Sequence, residues 1–493
     1  MHVSRRARRI VVLLAVVAVV SAACVPFFPP GSAVSLDEAT GTITVRWPTA
    51  LSTDPGEDVD HYEVEVDGTV VGTVEAPATM CVLVGLAPET TYDVAVSAYD
   101  TAGEWSGSKG APDYQDIFRP SGQLTTPAGL TAGSISCDSG PDTDGDRLPD
   151  VVETGTGVFV NTADTGTDPL VADSDGDAIA DGDEVLGTLA GLDLPGLGTS
   201  PNRADLLLEF DWFDDANDGC GAHSHQPSAT AISLYEAPLA ASPVANPDGT
   251  TGVNVISDHG QGGSFTGGNL IADADGVIAG GVGGAEFSAY KAANFAPERN
   301  GYFHYVLLPH RYGTSSSSSG QAELFGDDMI VSLYCFGSSY NVATTTLHEL
   351  GHNLGLHHGG FESRNHKPNY NSVMNYAYQF AGVDTDCTPP GNGVIDLSPG
   401  TRSDLDENDL DETLGVCGGV PWDWNGDTSI TTGVVFDANG DASLDVLSDH
   451  DDWASLVFTG ILDADGAPPP GEHRSFVSKQ VITDMPVPVA ARD

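Results

Sequence analysis

The chain has 493 residues, which at ~100–200 residues per domain predicts about three domains rather than one core. Its 71 acidic side chains against 18 Lys and Arg give a formal charge of -53, which excludes nucleic acid and anionic membrane faces as partners because both require clustered cations. Calcium, basic substrates or a saline medium fit instead, and since net charge alone can serve only solubility, the placement of the acids decides.

The first predicted element is an export signal. Arg5, Arg6, Arg8 and Arg9 precede an apolar run from Ile10 to Val20, then small residues to Ala23; this run is too short to span a bilayer. Ordinary cleavage after Ala22 or Ala23 is one route. Cleavage before Cys24 is the other and is similar to that of bacterial lipoproteins, with Cys24 carrying a lipid anchor, although Ser21 stands where Leu or Val is usual. Either way residues 1–23 are a signal peptide, the protein is exported to the exterior or the cell surface, and membrane contact is expected only through that anchor. Disulfides persist in such a compartment. Cys81, Cys137, Cys220, Cys335, Cys387 and Cys417 are even in number, but sequence does not fix their connectivity. Cys387 with Cys417 is the expected pair, both lying in the loop-rich region after the candidate active site.

After a Pro-rich linker over 24–32, residues 33–127 alternate apolar and polar positions in "TITVRW", "HYEVEVDG" and "TYDVAVSAYD". Short strands of period two separated by turn residues predict an all-β sandwich. The segment "GLAPETTYDVAVSAYDTAGEWS" resembles a fibronectin type III domain. The resemblance implies Trp47 in an early strand, Leu86 and Tyr92 at the corner before a late strand, and a Tyr92 hydroxyl bonded back to the chain. It also implies a non-catalytic module that spaces domains or binds a matrix or cell-surface ligand; a plain immunoglobulin-like sandwich carries the same consequence.

Residues 138–187 change character. Asp142, Asp144, Asp146, Asp150 and Glu153 recur at the same spacing as Asp173, Asp175, Asp177, Asp181 and Glu184. Alternate acids around a turn-forming Gly bring hard oxygens to one point, which suits calcium. The two copies resemble thrombospondin type 3 repeats, which implies a calcium-binding linker; an acidic linker without a bound ion is the alternative.

Over 200–465 the pattern predicts an α/β (α+β) domain with a mixed sheet and an active-site helix. "DLLLEFDW", "GYFHYVLLPH" and "DDMIVSLYCF" read as buried strands, and "NVATTTLHELGHNL" as a helix ending at Gly355. On that helix His348 and His352 are four apart and stand on one face, able to grip one ion. Gly355 lets the chain turn back and brings His358 to the same ion, and three neutral imidazoles leave one position open, as in catalytic zinc. Glu349 is offset toward the same cleft as the general base.

These residues, as HExxHxxGxxH, resemble the signature of the metzincin zinc metallopeptidases, with His357 left as a neighbour one place out of register. "SVMNY" resembles the methionine turn of that family, which implies Met374 as an apolar floor beneath the imidazoles and Tyr376 as a group near the metal or the oxyanion. His259, His304 and His310 read as structural histidines, and no role is assigned to His366. "DWNGDTSI" and "DANGDASLD" are weaker calcium loops, lacking a terminal Glu. No cysteine-switch segment is present, Gly359 assigns no subfamily, and within the 466–493 C-terminal tail the chain after about residue 475 is sparse in apolar pattern and is expected to fray.

The expectation is therefore a multidomain exported zinc endopeptidase acting on protein or peptide substrates, with Zn2+ as cofactor and structural Ca2+. A different class stands beside it, a surface adhesin or matrix-binding protein with an inactive protease-like domain. The complete ligand set with Glu349 argues against that class. Hydrolysis of non-peptide amides would use the same chemistry.

Overall fold

The computed structural model describes residues 25–39, 42–52, 57–106, 119–128, 130, 132–138, 140–214, 220–221, 223–272, 275–313, 318–458 and 480–483. The signal segment, Cys24 and most of the 466–493 tail lie outside the described residues. The chain is mostly sheet with few helices, and it divides into two compact units: Met1–Asp175 with Ile179–Asn202, and Gly176–Ala178 with Arg203–Asp493.

In the first unit, strands β1 (Ser35–Ala39), β2 (Thr42–Arg46), β3 (Val59–Val66), β4 (Thr69–Glu75), β5 (Met80–Val84), β6 (Thr91–Asp100), β7 (Ser121–Thr125) and β8 (Ser136–Asp138) form two antiparallel sheets. Their orders are β1-β2-β5-β8 and β4-β3-β6-β7. Alternation decides which face is buried: in β3, Tyr62, Val64 and Val66 point inward while Glu63 and Glu65 do not. They meet Val94 and Val96 of β6, and the Tyr62 ring lies 5.5 Å from that of Trp47. The Tyr92 hydroxyl accepts from Ala87 N at 2.9 Å, closing the corner. The sandwich runs past the expected end at 127, because β8 adds to β5 and the Cys81–Cys137 disulfide ties the two strands.

The acidic repeats follow in the same unit, with short helices α1 (Asp181–Leu186) and α2 (Leu194–Leu197). Their few apolar side chains, Leu148, Val152 and Val185, pack on Met80 and Val82 of β5. Arg46 donates from its guanidinium to the Val185 carbonyl at 2.7 Å. A linker with so little apolar content borrows its core from the sandwich.

The second unit contains β9 (Asp205–Phe213), α3 (Ala229–Ala240), β10 (Asn254–Asp258), β11 (Leu270–Ile271), β12 (Val277–Ile278), α4 (Ala285–Asn294), β13 (Phe303–Leu308), β14 (Arg311–Tyr312), β15 (Gly320–Leu324), β16 (Asp328–Val331), α5 (Ser339–Asn353), the two-stranded ribbons of β17 (Leu405–Asp406), β18 (Leu410–Asp411), β19 (Thr432–Val434) and β20 (Val446–Leu447), and β21 (Gln480–Thr483). The main sheet runs β10-β9-β13-β16-β15-β21, with β11 also on β9. Strands β9, β10, β11, β13 and β16 are parallel, and β15 and β21 are antiparallel to their neighbours. Buried strands in a parallel sheet need apolar residues on both faces, which is why β9 and β13 read as continuous apolar runs. Helix α5 lays Val342, Leu347 and Leu350 on Val306, Leu308, Met329 and Val331. Ser338 caps it, its hydroxyl accepting from Asn341 N at 3.2 Å.

The tail breaks the sequence expectation. Residues 480–483 pair with β15, because an open sheet edge accepts an extended segment through its backbone whatever its apolar pattern. Cys387–Cys417 forms as expected, and Cys220 pairs with Cys335. No helix among the described residues is long and apolar enough to cross a membrane.

Candidate metal centre

The helical spacing of α5 puts His348 and His352 one turn apart, both fully buried. Gly355, at φ +96°, ends the helix and reverses the chain. His358 then enters beside them: its Nε2 and that of His348 each lie 3.2 Å from the Nε2 of His352. Two nitrogens held by one tetrahedral ion at ~2.0–2.1 Å are about 3.3 Å apart. Two of the imidazoles are aimed from behind. His348 Nδ1–H donates to the Val373 carbonyl at 2.7 Å and His352 Nδ1–H to the Leu356 carbonyl at 2.6 Å, which fixes the tautomer that turns Nε2 toward the shared point.

Met374 is fully buried under the helix. A Cβ at Gly351 would strike its sulfur, so the glycine in the HELGH stretch lets the turn approach. The turn is held by Asn375, whose side-chain amide donates to the carbonyls of Lys367 (2.6 Å) and Tyr370 (2.8 Å). Glu349 is fully buried beside the imidazoles, and a Cβ at Gly320 of β15 would fall on its Oε1. Tyr376 is half-buried, its ring 4.3 Å from that of His358 and 5.9 Å from that of His348. His357 stands outside the cluster, its backbone N–H donating to the Gly360 carbonyl at 2.8 Å. His366 packs edge-on against Tyr376.

Several residues that build this site carry no motif. Lys367 is fully buried and donates to the carbonyls of Gly359 (2.8 Å) and Ser448 (2.7 Å) and to Glu362 (3.1 Å), fixing the loop next to His358. Burial pushes its amine below the usual lysine range. Asp396 accepts Val373 N through its carbonyl at 3.0 Å and so holds the segment that orients His348. His304 meets the Asn353 side chain at 3.1 Å, a structural contact at the end of α5. A second imidazole pair, His223 and His225, has Nε2 atoms 3.1 Å apart, and His225 joins the end of β9 to the segment after β16 through the carbonyls of Phe213 and Tyr334; a short "HSH" offered no helical spacing to find it. His310 lies beside this pair.

The acids do not gather as two sets of five. Asp142, Asp144 and Asp146 converge, and Asp146 and Glu153 meet Asp181 from the other repeat. Asp150 turns away and accepts from Thr143 N and Oγ1, both at 2.8 Å. Asp181 holds Ser174 in the same manner, at 2.9 and 2.7 Å, yet is buried against the first repeat. Glu184 is buried, and Asp177 accepts from Asp205 N at 2.6 Å. Burial, with the charge of neighbouring acids added to it, raises Asp146 and Glu153 to about 8 and Asp181 to about 7. Oδ2 of Asp144 and Oε2 of Glu153 are buried with no hydrogen-bond partner. Such oxygens cost free energy unless protonated or shared with a cation. In the second unit, the loops Asp423–Asn425–Asp427 and Asp437–Asn439–Asp441 wrap their first Asp with backbone N–H groups, as Asx turns do.

Comparison with known families matches residues 28–110 to the fibronectin type III domain. Residues 28–110 are a fibronectin type III domain. Among solved structures, the spore cortex lytic enzyme SleM of Clostridium perfringens is 19% identical over 19% of this chain and 27% of its own, with a TM-score of 0.15. The central fibronectin-III array of RIM-binding protein is 19% identical over 16% of this chain and 31% of its own, also with a TM-score of 0.15. The chain thus spans under a third of either structure. No curated protein matches the chain.

Proposed function

We propose that this chain is an exported zinc endopeptidase of metzincin type whose fibronectin type III domain engages a protein partner. The observation that carries the reading is the convergence of three imidazole Nε2 atoms at tetrahedral spacing, with a buried carboxylate beside them. His348, His352 and His358 fit zinc, which prefers neutral imidazole in a four-coordinate site. Zinc held there supplies an activated water and a polarised peptide carbonyl at neutral pH. Glu349 takes the proton from the attacking water and passes it to the leaving amine, and the Tyr376 hydroxyl donates toward the developing oxyanion. Met374 and the Val373 carbonyl hold the ligands so that this geometry is in place before substrate arrives.

Calcium is the second ion of this reading. Hard carboxylate oxygens from Asp142, Asp144 and Asp146, and from Asp146, Glu153 and Asp181, suit it and not zinc. The rival adhesin reading is favoured by the fibronectin type III domain, whose fold commonly binds proteins. Casein hydrolysis and zinc content of the wild type and Glu349→Ala decide between the two. The endopeptidase reading expects cleavage that disappears in the variant while one zinc per chain remains. Zinc without any Glu349-dependent cleavage would leave the adhesin.

A further inference from the structure

Strand β21 occupies the outer edge of β15 in an antiparallel register, with Gln480 opposite Leu324, Val481 opposite Glu323, Ile482 opposite Ala322 and Thr483 opposite Gln321. On its other side β15 pairs with β16, so without β21 its outer N–H and C=O groups would form an open edge. The direction of the pairing matters. Running from Gln480 to Thr483, the chain advances along β15 toward Gly320, the residue whose Cβ would fall on Glu349. At that end the Tyr376 hydroxyl donates to the Thr483 carbonyl at 3.2 Å, and the Gln321 side-chain amide donates to the Thr483 hydroxyl at 2.8 Å. Tyr376 is also the aromatic ring against His358. The Thr483 carbonyl is therefore polarised by the same hydroxyl that the proposed reaction assigns to the oxyanion.

We infer that residues 480–483 of this chain occupy the β15 edge beside the metal centre as a self-inhibitory stand-in for an extended peptide substrate. The inference rests on the peptidase reading for its consequence, not for the contact itself. Gln480, Val481 and Thr483 are exposed and Ile482 is half-buried, so little apolar burial holds the segment. What holds it is backbone pairing plus two side-chain hydrogen bonds, the mode by which strand addition recognises peptides of varied sequence. A segment held this way is readily displaced. Belonging to the same chain compensates, since an intramolecular contact is favoured by an effective concentration on the order of millimolar.

The test uses the full chain carrying Val481→Pro and Ile482→Pro together, which removes whichever N–H faces β15. The probe is a fluorescein-labelled synthetic peptide spanning residues 479–486, read by anisotropy against Glu349→Gln forms of the wild type and of the proline variant. For a peptide of about 100 μM affinity, a millimolar tether predicts about tenfold tighter probe binding to the proline variant, with a matching rise in casein hydrolysis when Glu349 is intact. Equal probe binding by both forms overturns the docking. Tighter probe binding without casein hydrolysis in either form keeps the docking and overturns the peptidase reading instead. Hydrogen exchange on the unmodified chain reads the contact without any substitution: protection across 480–483 is expected, and exchange at the unstructured rate overturns it.

Discussion

Withdrawing calcium at rising pH should loosen the first unit. In the folded chain Asp146 and Glu153 are raised to about 8 and Asp181 to about 7, first by burial and then by the charge of neighbouring acids. Unfolded carboxylates titrate near ~4. Between those limits the folded state holds more protons than the unfolded one, so in the absence of a cation stability is full at low pH and falls as pH rises through the folded values. Asp146 alone, carried from 3.8 to about 8 at ~1.4 kcal/mol per pKa unit, sets a ceiling on the order of 6 kcal/mol. Calcium at a thousandfold over its dissociation constant returns about 4 kcal/mol, and at ~2–4 °C per kcal/mol for a unit of this size that is a Tm change of ~8–16 °C. Thermal melts of the full chain at about pH 5 and about pH 8, with EGTA or with millimolar calcium, read it. The expected pattern is a first transition that drops with pH in EGTA, recovers in calcium, and loses both responses in Asp146→Asn with Glu153→Gln. A transition indifferent to calcium at the higher pH, or one that climbs with pH in EGTA, would refute the reasoning.

Three further outcomes follow from the second unit. Gly320→Ala places a methyl group on Glu349 Oε1 and 2.8 Å from the Ile330 carbonyl; displacing a reacting group by about 1 Å costs on the order of 100-fold in kcat, so activity should fall far more than the melting temperature, with zinc content retained. Arg299 bridges the buried Glu209 (2.6 Å) and Asp258 (2.7 Å), so Arg299→Met strands two carboxylates and should cost ~3–5 kcal/mol in urea denaturation, with partial recovery in the Arg299→Met, Glu209→Gln pair. Lys367→Met removes three hydrogen bonds at the loop beside His358 and should weaken zinc binding in competition with a chelator by about 10- to 100-fold; unchanged affinity would mean that the loop holds without it.

What the sequence made legible tracked how local each signal was. The i, i+4 histidines, Glu349 and the turn at Gly355 are set by helix geometry within a dozen residues, and the structure brings His358, not His357, to the cluster. The sandwich was readable from strict alternation in segments such as "HYEVEV". Long-range partners were not. The Val373 carbonyl that aims His348 is a backbone atom with no sequence mark, and Lys367 reads as an ordinary surface lysine until its burial is seen. The acids followed the same rule: spacing located them, but Asp181 crosses to Asp146 and Glu153 because folding places the repeats side by side, and no repeat period can reveal that. β21 left no apolar pattern because its hold is through the backbone.

On the proposed reading, the two kinds of donor cluster would also keep their ions apart. Three nitrogen donors converge at His348, His352 and His358, while the buried groups of the repeats at Asp146, Glu153 and Asp181 offer oxygen. Imidazole sites at this spacing are too tight and too soft for calcium, and carboxylate loops compete poorly for zinc against neutral imidazoles. If the proposed ions bind, a medium rich in calcium and scarce in zinc would load both without either displacing the other, and a chelator selective for one should strip its own site and leave the other filled.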